Sequence, residues 1–214
     1  MNRKNNIKIS WSPKFAYVIG ILATDGNLSP DGRHISITSK DRDLILQIKK
    51  ALNIKNKIGK KSRGLEKTKK YFVLQFGDKN FYEYLMSIGI TPAKSKTISN
   101  LAVPKKYFYD FLRGCIDGDG NISIANHPES NKKQLRLRLA SASKNFLFWI
   151  KTMIMTTSPI KGGWIYTSKR QLHMLNFGKE DSIIILKLMY SKKVEFFLKR
   201  KYSVAVDYIG RVVK

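Results

Sequence analysis

Apolar side chains fall into a few kinds of run along the chain, and the same kinds return in the same order in its second half. Phe15, Val18, Ile19 and Leu22 recur at helical spacing behind Ser12-Pro13, a capping side chain followed by a residue that suits the first turn. The run predicts a helix that stops at Asp25-Gly26, where glycine can take the left-handed conformation that ends helices. Behind Pro104, the residues Phe108, Phe111, Leu112, Cys115 and Ile116 repeat the pattern and lead to Asp119-Gly120. Alternation follows each time. Ile35 and Ile37 alternate with His34, Ser36 and Thr38 after the turn Ser29-Pro30-Asp31-Gly32, and Leu135, Leu137 and Leu139 alternate with Arg136 and Arg138. A helix (Leu44, Ile45, Ile48; then Phe146, Trp149, Ile150, Met153), a basic hairpin (57–76; 160–177) and a last helix (near 79–88; 180–191) complete each copy. The expected class is α+β, two pseudo-symmetric αββαββα repeats with antiparallel sheets. The tail 196–202 reads as a basic amphipathic helix.

The duplication is also visible in residue identities. Asp25-Gly26-Asn27-Leu28-Ser29 recurs as Asp119-Gly120-Asn121-Ile122-Ser123, with Ser39-Lys40 echoed by Ser143-Lys144 and Phe76-Gly77 by Phe177-Gly178 in the same order. Residues 1–96 form the first repeat with its connector, and 97–214 the second; the stretch from Ile88 to Pro104 between them is turn-rich and basic. Small residues stand four apart at equivalent places, Gly20/Thr24 and Gly114/Gly118, which lets two helix backbones approach closely along a shared seam.

Charge narrows the partner. The chain has 41 Lys+Arg against 15 Asp+Glu, a net +26, yet 43% of it is hydrophobic. Such a chain can bury a core, and its self-repulsion is best relieved by a polyanion, nucleic acid ahead of an acidic membrane surface. A single cysteine, Cys115, excludes an internal disulfide framework and a Cys-rich zinc site and fits a reducing compartment. No apolar run has the length of a signal peptide core or a membrane span, so no membrane attachment is expected.

Two stretches, Val18-Ile19-Gly20-Ile21-Leu22-Ala23-Thr24-Asp25-Gly26 and Leu112-Arg113-Gly114-Cys115-Ile116-Asp117-Gly118-Asp119-Gly120, resemble two copies of the motif that names the LAGLIDADG homing endonucleases. Thr91-Pro92-Ala93-Lys94-Ser95 followed by Phe111-Leu112-Arg113-Gly114 is similar to the inter-repeat stretch of two-motif members. The resemblance spans essentially the whole chain and departs at Ala23 and Cys115, neither of which is the metal-bearing position. It implies a monomer with a pseudo-twofold axis between the motif helices and two sheets forming a DNA-binding saddle in the major groove. The implied reaction is hydrolysis of both strands of double-stranded DNA with a divalent metal, Mg²⁺, leaving 3′ overhangs, as in intron or intein homing. The implied location is intracellular, wherever the host genome lies.

The chemistry has its own argument. Phosphodiester hydrolysis needs a cation to neutralise developing charge and to acidify an attacking water, and hard oxygen ligands suit Mg²⁺. Asp25 and Asp119 at two packed helix ends, with the terminal carbonyls of Thr24 and Gly118, offer such ligands; taken singly, each Asp-Gly is also an ordinary helix end. Lys40 and Lys144 follow the outward strands, and the resemblance places such lysines in the cleavage pocket; as members of a very basic chain they are equally phosphate contacts. Ser39 and Ser143 suit helix caps, Asp117 local structure and Cys115 the core. His34, His127 and His173 lack metal-ligand spacing, and no phosphate-cradling loop is present. Reading of bases falls to outward strand positions: Arg136, Arg138, Gln75, Asn176, Lys161, Tyr166 and His34. The stretch from Asp119 to Lys144 is longer than that from Asp25 to Lys40 and carries Asn126, Asn131, Lys132 and Lys133, so the target is expected to be only partly palindromic. The competing reading is an intron maturase that binds RNA, or a DNA-binding protein that keeps the scaffold without cutting. A nucleic-acid packaging protein would leave the duplicated acids unexplained.

Overall fold

Ser12 opens the first helix as its spacing predicts, its hydroxyl accepting the Phe15 N–H at 3.3 Å. The computed structural model describes residues 7–62, 68, 70–126, 133–191 and 193–212, so His127, Asn131 and Lys132 lie outside the described residues. The first repeat runs α1 (Pro13–Thr24), β1 (Gly26–Leu28), β2 (His34–Ser39), α2 (Arg42–Ala51), β3 (Ile58–Lys61), β4 (Tyr71–Gly77) and α3 (Lys79–Ser87). After a single tight turn at Lys105–Tyr107 the order repeats as α4 (Phe108–Asp119), β5 (Gly120–Asn126), β6 (Lys133–Ser141), α5 (Lys144–Thr157), β7 (Trp164–Thr167), β8 (His173–Phe177) and α6 (Lys179–Met189), followed by α7 (Lys199–Val212). No helix among the described residues is long and apolar enough to cross a membrane.

Both sheets are antiparallel, four-stranded and ordered alike, β1-β2-β4-β3 and β5-β6-β8-β7. Their registers coincide. The cross-strand row Gly26–Ile37–Leu74–Ile58 has its counterpart in Gly120–Leu139–Leu175–Ile165. Ile35, Ile37, Leu74, Leu135, Leu137, Leu139 and Leu175 are buried, so one face of each sheet joins the core and the other is left to polar side chains, as alternation dictates. This register corrects one sequence echo. It aligns Lys40 with Ala142, whereas Lys144, the first residue of α5, aligns with Arg42. The local bonding agrees: the Asp41 N–H donates to Ser39 Oγ at 3.1 Å, and the Ser143 N–H to Ser141 Oγ at 3.0 Å. Ser143 caps α5 by accepting from Phe146, as expected.

Helices α1 and α4 pack together at the centre, and their small residues are the reason. A Cβ on Gly20 would stand 2.1 Å from the Phe111 carbonyl oxygen, and one on Gly114 would stand 2.1 Å from that of Tyr17. At that separation only glycine lets the two backbones meet. Gly26 and Gly120 end the helices differently from the expected left-handed cap. Each enters a strand directly with negative φ, and a Cβ there would stand 2.5 Å from Leu22 O or 2.6 Å from Ile116 O. The tail also departs from expectation. Phe196 and Leu198 are buried before the helix begins, and Lys201 is buried within it, because this segment packs into the core instead of lying on the surface.

Candidate functional site

The C-terminal ends of α1 and α4 meet at one end of the seam, which brings the two motif acids together. A Cβ on Gly118 would lie 2.1 Å from Thr24 Oγ1 and 3.1 Å from Asp25 Oδ2, so the Asp25 carboxylate leans over the end of the opposite helix. Thr24 Oγ1 itself donates to the Gly20 and Ile21 carbonyls. Asp119 ends α4 at the corresponding position.

Two buried lysines that the sequence reading did not single out complete the cluster. Lys94 Nζ donates to Gly26 O at 2.5 Å and lies 3.4 Å from Thr24 O. Lys201 Nζ donates to Ile116 O at 2.6 Å, Gly120 O at 2.7 Å and Asp117 O at 2.9 Å, with Gly118 O at 3.4 Å. Each ammonium thus sits on the carbonyls that end one motif helix, where the helix dipole favours a cation. Burial lowers both below the usual lysine range, Lys201 to about 8; the Asp25 and Asp119 carboxylates act on both lysines in the opposite sense, as Asp117 does on Lys201, while Arg200 lowers it further. Four charged groups from two repeats therefore share one site. The two acids were legible as the repeated Asp-Gly; of the two lysines only Lys94 carried a sequence signal, inside Thr91–Ser95, and Lys201 in the tail carried none.

Lys40 and Lys144 are exposed. β2 continues past the Gly26–Ile37 pair through Ser39, so Lys40 lies roughly 10 Å beyond that pair on the acid end of the sheet, its Nζ 5.3 Å from the centre of the Tyr71 ring. Asp117 is structural, as expected: buried, it accepts from Tyr17 Oη at 2.9 Å and from the Leu198 N–H at 2.7 Å. Burial raises its pKa. Cys115 is buried in the seam. Among the described residues no three His, Cys, Asp or Glu groups cluster as a metal site, so a cation here would rest on two carboxylates, carbonyls and water. That donor set fits Mg²⁺, which keeps several waters and takes one or two carboxylates plus phosphate oxygens.

The outward sheet faces differ between the repeats. One row reads Asn27–Ser36–Gln75 in the first sheet and Asn121–Arg138–Asn176–Trp164 in the second. Gln75 and Tyr166 are exposed, and Arg136 and Arg138 half-buried, with Arg138 Nε buried and lacking a hydrogen-bond partner. Three of the expected positions have more particular surroundings than an open strand face. Asn176 faces outward by register but is buried beneath its row, its amide donating to Met174 O at 2.9 Å. Lys161 is exposed but precedes β7, because the strand starts only at Trp164. His34 Nδ1 is engaged by Asp31, whose carboxyl that hydrogen bond holds down at about 2. Trp164, an exposed side chain on the same face, was missed because a tryptophan in an alternating strand reads as core.

The family model described as a LAGLIDADG-like domain matches residues 12–89. Solved structures of similar fold include mesophilic variants of the homing endonuclease I-DmoI (17% identity, 88% of this chain and 96% of that one, TM-score 0.59). I-DmoI in complex with DNA and Mn is similar at 19% identity over 85% and 98% (TM-score 0.56). Full-length DUF199/WhiA from Thermatoga maritima matches at 16% identity over 96% of this chain and 66% of that one (TM-score 0.54). No curated protein matches the chain by sequence. Residues 12–89 therefore match a LAGLIDADG-like domain, and with a second half that repeats the topology and register the chain shares the two-repeat fold of these structures.

Proposed function

We propose that this chain is a metal-dependent endonuclease that cuts both strands of double-stranded DNA at a long, partly palindromic site and leaves 3′ overhangs, as in intron or intein homing. The observation that carries this reading is the convergence of Asp25 and Asp119 at one end of the glycine seam, flanked by Lys94 and Lys201. The two carboxylates would hold Mg²⁺, which when bound supplies charge neutralisation at the phosphate and a more acidic water. Without a cation two like charges at this end of the seam disfavour each other, so the lysines and the metal share the task of balancing them. Lys201 directs its donors at carbonyls and contributes a fixed positive charge near a phosphate that gains negative charge in the transition state. Among the described residues Lys94 reaches two carbonyls, which leaves a donor for a phosphate oxygen. Lys40 and Lys144, exposed, are assigned to the phosphates that flank the cleavage site or to the pocket itself.

The outward sheet faces would lie in the major groove, where Arg136 and Arg138 on the outward side of β6 would meet acceptors on bases or phosphates. I-DmoI, of similar fold, is described in complex with DNA and with Mn, Ca or Mg, which supports both partner and metal. The likeness to WhiA, not named as a nuclease, favours a second reading in which the chain binds nucleic acid without cutting. Incubation of the purified protein with a randomised duplex library and Mg²⁺, followed by sequencing of cut ends, separates the two. Endonuclease action yields paired breaks with 3′ overhangs at one recurrent site of about two helical turns; the second reading yields enriched bound sequences and no ends above the metal-free control.

A further inference from the structure

Residues 196–198 lie against both repeats outside any helix or strand, and their backbone polar groups are held in turn by side chains from both. Arg113 Nε donates to Phe196 O at 3.0 Å, while its other nitrogens bond Met189 O and Asp110, each at 2.8 Å. Gln47, on α2 of the first repeat, pairs with both groups of Phe197, accepting its N–H at 2.9 Å and donating to its carbonyl at 3.0 Å. Asp117 Oδ2 accepts the Leu198 N–H at 2.7 Å together with the Tyr17 hydroxyl. Leu198 O then accepts the N–H groups of Lys201 and Tyr202, both at 3.0 Å, and so starts α7. One turn further on, Lys201 Nζ returns to the carbonyls next to Asp117. Among the described residues Lys94 has no such device. Its repeat carries Ala23 where the second carries Asp117, and it is placed by its own turn, with Ala93 at φ 52 and Lys94 O accepting from Thr97 and Ile98.

We propose that Asp117 and Gln47 are positioning residues for Lys201: they lock the 196–198 strap, and the strap sets the Lys201 ammonium at the acid pair, so one of the two strand cleavages depends on contacts that the other lacks. The strand-specific part rests on the endonuclease reading; the placement of Lys201 does not. A purely structural role for the strap would loosen the molecule without distinguishing the two lysines.

Asparagine at position 117 keeps the task, because both bonds to Asp117 end on one oxygen and the other oxygen has no hydrogen-bond partner. The test therefore compares Asp117→Asn, Asp117→Leu and Gln47→Ala, the last being half-buried and leaving the inner cluster intact should Asp117→Leu fail to fold. Amine acetylation followed by mass spectrometry should find Lys201 and Lys94 protected in the wild type and in Asp117→Asn. In Asp117→Leu and Gln47→Ala, Lys201 labelling should rise about tenfold or more while Lys94 stays protected. Strand-resolved cleavage should show the same two variants slowing, by about 100-fold, the strand that Lys201→Met slows, and sparing the strand that Lys94→Met slows. Unchanged Lys201 labelling, a parallel rise at Lys94, or an Asn variant that behaves like the Leu variant would each overturn the proposal. Should the wild type cut neither strand, the endonuclease reading fails and the ratio of Lys201 to Lys94 labelling decides the strap alone.

Discussion

At single residues, the seam and the buried lysines impose the sharpest demands. Gly20→Ala or Gly114→Ala would set a methyl group 2.1 Å from a backbone oxygen of the partner helix, which no rotamer relieves. Each should lower the urea-unfolding free energy by about 1–3 kcal/mol or more. Gly32→Ala, at φ 73 with nothing within 4 Å, should cost no more than the backbone strain of about 1 kcal/mol. Equal losses at the three positions would contradict the close-approach account. Lys201 makes a prediction about pH. Burial holds its folded pKa at about 8, below the ordinary lysine value of 10.5, so between these the unfolded chain binds more protons than the folded one. Stability contributed by this group therefore rises with pH from about 8 to 10.5, and its cost is fully present below that window. Denaturant titrations of the wild type and Lys201→Met across pH 7–11 should show the wild type gaining on the variant through the window; parallel curves would place Lys201 in solvent. Neither Lys94 nor Lys201 stood out from periodicity, because their carbonyl partners are distant in sequence and only the folded chain assembles them.

At the scale of elements, helices and strands followed directly from spacing. The apolar repeats behind Ser12 and Pro104 became α1 and α4, and the alternation at 35–37 and 135–139 became β2 and β6 with the anticipated residues inward. Short-range echoes were less dependable. Ser39-Lys40 and Ser143-Lys144 look equivalent as dipeptides, yet strand register and the serine bonds to Asp41 and Ser143 set Ser39 against Ser141. Burial of polar side chains was equally illegible, since Asn176 follows the outward alternation and is covered only by what its neighbours happen to be. The inequality of the hairpins was legible and has structural support. β5 and β6 are 7 and 9 residues long against 3 and 6 for β1 and β2. The longer pair is braced by α7, whose Tyr208 hydroxyl donates to Lys133 O at 2.9 Å. Arg136 and Arg138 occupy positions filled by His34 and Ser36 in the first sheet. Arg136→Ala and Arg138→Ala should accordingly relax base preference in one half-site only, by about 1–3 kcal/mol for a lost bidentate contact. Selection on libraries with each half-site randomised separately reads this out; equal relaxation in both halves, or uniformly weaker binding, would reassign these arginines to phosphate.

The whole molecule combines a net charge of +26, two sheets in matching register and one acid at the end of each seam helix. Because both acids belong to one chain, light scattering of the complex with a cognate duplex should find one protein per site, with affinity falling steeply as salt rises; two chains per site would mean that the site is completed in trans. The most direct measurement concerns the acids themselves. Asp25→Asn and Asp119→Asn each keep the size of the side chain and remove one negative charge, so neither weakens attraction to phosphate. With the duplex recovered from library cleavage, each variant should bind as tightly as the wild type and fail to make the double-strand break in Mg²⁺. Full cleavage by both variants would contradict the assignment of Asp25 and Asp119 as the groups that hold the metal.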